Sequence, residues 1–186
     1  MGLDQAERTP SRVREAEPRD VPALARIHVV SWHHAYAGII SPTNLAATNE
    51  RRSLARFRGY FVTGGPKRSF LQVLELDGRV VGYINGGRST TKGLAARGEL
   101  YELYLEPQLQ GQGLGRKLLS SGLWRLAGAR AMPAMLWVLA DNHRARRFYA
   151  RMRGREFAKG WTQVGDQRLA KVAYRWADYL PWPEWI

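Results

Sequence analysis

Gln110-Gly111-Gln112-Gly113-Leu114-Gly115-Arg116-Lys117 is the stretch whose residue types and spacing first suggest chemistry. Its glycines alternate with larger residues, behind an apolar run and ahead of Leu118, Leu119, Leu123 and Leu126 at helical spacing. That pattern predicts a strand, a tight turn and the start of a helix. Backbone N–H groups laid bare at such a turn hold an anion, and the positive end of the helix dipole adds to the attraction. A phosphate is the expected ligand. Two familiar phosphate loops do not fit. A dinucleotide fingerprint needs glycine at the sixth place, which counted from Gly111 is Arg116. A Walker loop needs Gly-Lys-Ser/Thr, and Gly115-Arg116-Lys117-Leu118 does not supply it.

A second group of residues stands about thirty positions downstream. Met135 to Leu139 reads as a buried strand, followed by Asp141-Asn142-His143-Arg144-Ala145-Arg146-Arg147-Phe148-Tyr149. Asn142 suits an N-cap, which puts Asn142, Ala145 and Tyr149 on one face of the helix it opens. Ala145, Phe148 and Met152 share the adjoining apolar stripe, with Arg144, Arg147 and Arg151 on the solvated side. Ahead of the glycines, Glu99 to Leu105 reads as a strand that Pro107 stops.

Gln110-x-x-Gly113-x-Gly115 with Asn142-x-x-Ala145-x-x-Phe148-Tyr149 resembles the paired motifs of the GNAT superfamily of N-acetyltransferases, whose glycine loop binds acyl-coenzyme A. The resemblance covers most of residues 12 to 178. Val13-Arg14-Glu15-Ala16 looks like the family's first strand, and Asp20-Val21-Pro22 like a capped helix start. His28 to Tyr36 looks like the end of that helix, where the acceptor pocket often begins. Arg51 to Phe61 reads as a second helix with Leu54, Phe57 and Phe61 inward. Ser69 to Leu76 and Arg79 to Ile84 read as strands of a hairpin turning at Asp77-Gly78, and Lys171 to Trp176 as a late strand. The resemblance implies an α/β (α+β) fold: a central mixed, mostly antiparallel twisted sheet of about seven strands, flanked by about four helices, with strands 4 and 5 splayed apart. One departure is visible. Arg153 occupies the place where the family usually has glycine, so Gly154 is expected as the left-handed helix cap, with Phe157 taking the apolar position.

The resemblance also assigns chemistry. Moving an acetyl group from a thioester to an amine requires a bound cofactor, an unprotonated amine, a stabilised oxyanion and a proton for the thiolate. Acetyl-coenzyme A would be held at its pyrophosphate by the main chain of Gln110, Gly111, Gln112, Gly113, Leu114 and Gly115, with Arg116 and Lys117 assisting. Its pantetheine arm would lie along Leu103, Tyr104 and Leu105, with a main-chain N–H near Tyr104 or Leu105 facing the thioester oxygen and Asn142 on the far side. Tyr149 is the expected general acid, since a phenol of pKa about 10 stays protonated at neutral pH. Glu102 is the first choice of base, with Glu99 and Tyr101 near it. Alternation along the strand sends Glu102 and Tyr104 one way and Tyr101 and Leu103 the other, so one set is expected to line the pocket. His28, Trp32 and Tyr36 are the expected acceptor-side residues, with His33 and His34 beside them. No pair of these histidines has the four-residue spacing of a helical metal site, so no metal is expected.

Composition sets the remaining bounds. At 186 residues the chain suits one core, with residues 1 to 11 a loose tail and residues 12 to 186 a single domain. No cysteine is present, which excludes disulfides, thiolate zinc sites and a cysteine nucleophile. The longest apolar run, Ala131 to Ala140, contains Pro133 and is too short to span a bilayer, and no signal-like start is seen. A cytoplasmic protein with no membrane partner is expected. The net charge is +13. Arg144, Arg146, Arg147, Arg151, Arg153, Arg155 and Lys159 would form a basic mouth for the cofactor phosphates, with Arg147 a candidate contact. Nucleic-acid binding ranks below the enzyme, because no helix-turn-helix, zinc finger or RNA-recognition motif accompanies the charge. A catalytically idle acyl-coenzyme A sensor on the same fold is the other alternative. The acceptor is expected to be a small-molecule or peptide amine, with walls from variable loops such as Tyr36 to Thr43. The aromatic segment from Trp176 to Ile186 would cover the acceptor cleft, pack on its own core or support a homodimer.

Overall fold

The computed structural model describes residues 11–66 and 69–177. Its strands are β1 (Ser11–Glu15), β2 (Phe70–Leu76), β3 (Arg79–Arg88), β4 (Gly98–Leu105), β5 (Ala134–Leu139), β6 (Arg155–Val164) and β7 (Gln167–Trp176). Its helices are α1 (Val21–Tyr36), α2 (Pro42–Ala46), α3 (Glu50–Thr63), α4 (Leu114–Gly128) and α5 (His143–Arg151). The seven strands form one sheet in the order β1-β2-β3-β4-β5-β7-β6. Only β4 and β5 pair in parallel. This is the mixed, mostly antiparallel α/β sheet that the family resemblance implied, with four long helices and the short α2. Among the described residues no helix is long and apolar enough to cross a membrane.

Helices cover both faces of the sheet, so the central strands carry apolar side chains on both sides. On one face Leu24 and Ile27 of α1 and Phe57 of α3 pack against Leu71, Val73 and Tyr83. On the other, Leu118, Leu119, Leu123 and Leu126 of α4 pack against Leu74, Val81, Ile84 and Leu100. Asp77 and Gly78 both take positive φ, 51° and 74°, as the Asp-Gly hairpin signal requires.

Several local expectations change. Asp20 makes no cap bond to α1. Its buried carboxylate instead receives the Arg14 guanidinium at 2.7 and 2.9 Å and the Glu17 N–H at 2.8 Å. β1 begins at Ser11, one residue inside the segment read as tail, where Lys117 Nζ reaches both Ser11 O and Ser11 Oγ. Lys117 thus ties β1 to α4 and does not line the groove where it was expected to assist. At the end of α5, Arg153 itself takes the left-handed conformation, φ 58°, while Gly154 does not. Glycine is needed at 154 for another reason: a Cβ there would stand 2.7 Å from the Trp176 ring and 2.9 Å from Tyr149 O. The segment read as a variable loop, Tyr36 to Thr43, runs from the last residue of α1 into the first two residues of α2. The remainder of the aromatic C-terminal segment, from residue 178 on, lies outside the described residues, as do residues 1 to 10.

Candidate active site

The groove arises because two parallel strands part. β4 and β5 pair only at Gly98↔Ala134 and Glu99↔Met135, after which the edge of β4 from Leu100 to Leu105 turns away from β5. On its other side β4 stays in register with β3, except that Asn85↔Glu102 is followed by Gly86↔Leu100. Tyr101 is the extra residue of this bulge, which bends the strand and re-aims its side chains. The opening holds about 840 Å³ and runs from the glycine turn to the C-terminal end of α1. All of Leu100 to Leu105 line it, not one alternating set as expected, because the strand presents its open edge and not a face.

One end of the groove is built for an anion. Gly111 and Gly113 take φ of 87° and 83°, and Gly113 caps α4. Such a left-handed backbone is strained for any residue with a Cβ. The Lys117 N–H closes back on Gly113 O at 3.2 Å, but the N–H groups of Gly111, Gln112, Gly113, Leu114 and Gly115 find no acceptor among the described residues. They present a row of donors at a helix start, the requirement of a bound phosphate. Gly111, Gly113 and Gly115 lie on the groove wall, together with Gln110 and Arg116, while Gln112 and Leu114 do not. The Gln110 side chain donates to Leu105 O at 3.2 Å, as does Ser31 Oγ at 3.1 Å, so the last carbonyl of the β4 wall is tied inside the protein.

The opposite wall comes from β5 and α5. Asn142 Oδ1 accepts the Ala145 N–H at 3.0 Å, the N-cap expected of it, and the buried side chain faces the groove. Tyr149 lies further along α5 on the same groove wall, with its ring packed against Tyr174 and Trp176 at centroid distances of 5.9 and 6.2 Å. Its hydroxyl makes no hydrogen bond among the described residues, and the residue lines the groove. Burial first, then the nearby Tyr36 phenol, pushes its pKa above the usual phenol value. Tyr149 is therefore a protonated donor at neutral pH.

The side expected to take the acceptor is an aromatic cluster around one carboxylate. Glu102 receives a two-pronged bond from Arg56, at 2.7 Å on Oε1 and 2.6 Å on Oε2. Its Oε2 also accepts from Tyr83 Oη at 3.1 Å and Asn85 Nδ2 at 3.3 Å. Oε1 accepts from Arg56 alone among the described residues, with His28 Nε2 4.0 Å from it. Tyr36 lines the groove, but His28 and Trp32 stand behind its wall, with the Tyr104 ring 5.7 Å from that of His28. The histidines do not form a group: His28 Nδ1 lies 2.9 Å from Ser53 Oγ, His33 Nε2 2.9 Å from Thr48 O, and His34 Nε2 3.1 Å from Arg144.

Burial pushes the His28 pKa down to about 4, with Glu102 opposing and Arg56 assisting. The ring is neutral at pH 7, whereas an unfolded histidine titrates near 6.5. The unfolded chain therefore binds more protons between those values, so this contribution to stability is complete above pH 6.5 and is lost as pH falls towards 4. Roughly 2 kcal/mol is expected to vanish between pH 7 and pH 5. Urea unfolding of wild type and His28→Asn at both pH values measures it; equal losses in the two proteins would contradict a buried neutral ring.

Other predicted residues fall elsewhere. Glu99 is buried and accepts from Thr90 N at 2.8 Å and from the Ser89 and Thr90 hydroxyls at 3.2 Å, so it organises a loop and offers no base. Arg147 is exposed on α5 and off the groove wall. Arg144 and Arg151 are exposed, as the helical pattern assigns them, and also lie on the groove wall. Trp137 and Ile39, which line it too, were not singled out by the sequence; both read as ordinary apolar residues.

Known proteins resemble this chain in sequence and in fold. The family model described as the Acetyltransferase (GNAT) family matches residues 29–154, more than half of the chain. The chain belongs to the GNAT acetyltransferase family. The uncharacterized N-acetyltransferase YuaI of Bacillus subtilis is 29% identical to this GNAT protein over 171 residues, 89% of this chain and 92% of YuaI. Among solved structures, the PaiA N-acetyltransferase from Thermoplasma acidophilum in complex with coenzyme A superposes with a TM-score of 0.66 at 17% identity, covering 90% of this chain and 99% of that one. YncA from Salmonella typhimurium, solved with its cofactor acetyl-CoA, gives a TM-score of 0.64 at 21% identity, covering 95% and 99%. At these identities the two structures establish the GNAT fold alone.

Proposed function

We propose that this protein is an N-acetyltransferase that moves an acetyl group from acetyl-coenzyme A to a primary amine, by direct attack while both are bound. One observation carries the reading: the gap between β4 and β5 runs from a row of unspent glycine N–H donors to a buried phenol and a carboxylate. The two structurally similar proteins solved with coenzyme A or acetyl-CoA support the choice of cofactor. The residues fit that group, since the positive-φ glycines keep Cβ atoms away from the place a diphosphate would occupy.

When bound, acetyl-coenzyme A supplies an activated acetyl thioester, and transfer to the amine forms the amide C–N bond as the C–S bond breaks. The glycine turn would grip the diphosphate, and Arg116, Arg144 and Arg151 would supply positive charge along the same groove. The edge of β4 would align the arm and offer a main-chain N–H to the carbonyl oxygen as it gains charge. Glu102 Oε1 would receive the acceptor ammonium and pass its proton to solvent, freeing the nitrogen lone pair. Tyr149 would donate to the sulfur as it leaves.

Calorimetry with acetyl-coenzyme A and a thiol-release screen of primary amines test this directly. Saturable uptake at one site per chain and turnover on at least one amine class are expected. Absence of uptake would end the reading; uptake with no turnover on any amine would favour the idle sensor.

A further inference from the structure

The outer end of the sheet carries a surface that acetyl transfer does not use. β6 is the last strand, paired only with β7, and from Ala158 to Val164 the two run in unbroken antiparallel register. Side chains of β7 alternate, so Arg168, Ala170 and Val172 share the face on which Tyr174 and Trp176 meet Tyr149 of α5. Lys159 stands opposite Val172 and Trp161 opposite Ala170, which places both on that same face. The Arg168 guanidinium lies over the Trp161 ring, 4.7 Å from its centroid. Trp161 is still 59% exposed, so the ring keeps a free surface.

The charge around this ring is one-sided. From His143 to Trp176 the chain holds ten arginines and lysines against two carboxylates, Glu156 and Asp166. Glu156 is held by Arg146 at 3.1 Å, with Lys159 Nζ at 4.0 Å, and Asp166 accepts from Asn44 of α2 at 2.8 Å. Arg147, Arg153, Arg155 and Arg168 are exposed and meet no carboxylate among the described residues. Residues beyond Trp176 do not reverse the sign, since they add only the side chains of Asp178 and Glu184, and the whole chain carries +13. The cofactor groove does not account for the excess either: Arg147, Lys159 and Arg168 are off its wall.

A polyanion complements such a surface, and the open ring narrows its kind. Two copies of this chain meeting here would set like charges against each other. Arg155, Lys159 and the break in register at Phe157 also blunt the strand edge against pairing with another strand. A duplex would answer the cations but keep its bases stacked inside, leaving the ring unused. A single strand supplies phosphates to the cations and an unpaired base to the indole, and stacking of this kind accepts any base without a sequence-reading motif.

We propose that the face formed by Lys159, Trp161 and Arg168 binds single-stranded nucleic acid, with a base stacked on Trp161 and phosphates beside the two cations. This site is separate from the acetyl-transfer groove and does not depend on that reading.

The test is fluorescence anisotropy of a labelled oligouridylate of about twelve nucleotides, with coenzyme A at saturation so that the groove is taken. A Kd below about 10 μM is expected at about 50 mM salt, with a log–log salt slope of about −1.4 or steeper, the value for two phosphates. Trp161→Ala is expected to weaken binding at least about fivefold with the slope unchanged, and Trp161→Phe to recover most of the loss. Lys159→Gln with Arg168→Gln is expected to flatten the slope by about 1.4. Thermal melting checks that each variant keeps its fold. No binding, a duplex of the same length bound as tightly, wild-type affinity in a folded Trp161→Ala protein, or release of the oligonucleotide by coenzyme A would each overturn the proposal. Failure to bind coenzyme A would overturn the acetyl-transfer reading and leave this site standing.

Discussion

Gly115→Val is expected to lower acetyl-coenzyme A affinity by at least about 100-fold while leaving the fold in place. Gly115 sits in the first turn of α4, with no positive φ, and a Cβ there meets only the Phe148 ring at 3.6 Å, an ordinary contact. Helix propensity favours the substitution over glycine by a few tenths of a kcal/mol. The protein therefore has room for the side chain, but the groove does not, because the added carbons stand where phosphate oxygens must approach the main chain. Gly113→Val is expected to bind no better, yet it is the less clean experiment. Its φ of 83° adds backbone strain of about 1–3 kcal/mol to the loss of contact. Calorimetry together with thermal melting separates the two. A Gly115→Val protein that melts like wild type and still binds with wild-type affinity would remove the glycine turn from the site.

Tyr149→Phe is expected to reduce kcat about 100-fold, near the lower end of what a positioned proton donor supplies, with cofactor affinity within about twofold of wild type. The lower end is expected because burial raises the phenol above its usual pKa, while a leaving thiol titrates near 8.5. Full proton transfer is then uphill, and the hydroxyl acts chiefly as a hydrogen-bond donor to developing sulfur charge. The same raised pKa predicts the pH profile: Tyr149 stays protonated through pH 10, so no loss of kcat on the basic side of neutrality arises from it. Because the ring keeps its packing on Tyr174 and Trp176, and the hydroxyl has no partner among the described residues, the variant should fold as wild type does. Unchanged turnover would reduce Tyr149 to a core aromatic.

How far the sequence reaches is clear from particular elements. The Asp77-Gly78 turn, the Asn142 cap and the glycine turn ahead of α4 are local events, decided within a few residues by backbone sterics and side-chain hydrogen bonds. All three formed as expected. The bounds of β6 are not legible in the sequence, because Arg155 to Val164 is interrupted by Gly160 and carries no apolar run. Its pairing with β7 supplies the evidence that its own residues lack. α2 escaped notice for a similar reason: it is one short turn, with no fully buried residue, held from outside. Asn44 Nδ2 reaches Val164 O at 2.9 Å and Asp166 Oδ1 at 2.8 Å, across more than a hundred positions of chain.

Periodicity, turn chemistry and two spaced motifs thus determined the class of fold, the GNAT family and the main-chain donors of the glycine turn. Each depends on residues near one another along the chain. Only the tertiary structure decided that Arg56 holds Glu102, that Glu99 serves a loop, and that Arg144 and Arg151, not Arg147, reach the groove. The physical reason is distance along the chain. A carboxylate's role depends on which donors folding brings within about 3 Å of it, and the groove exists only because two strands separated by a helix part after a short stretch of pairing.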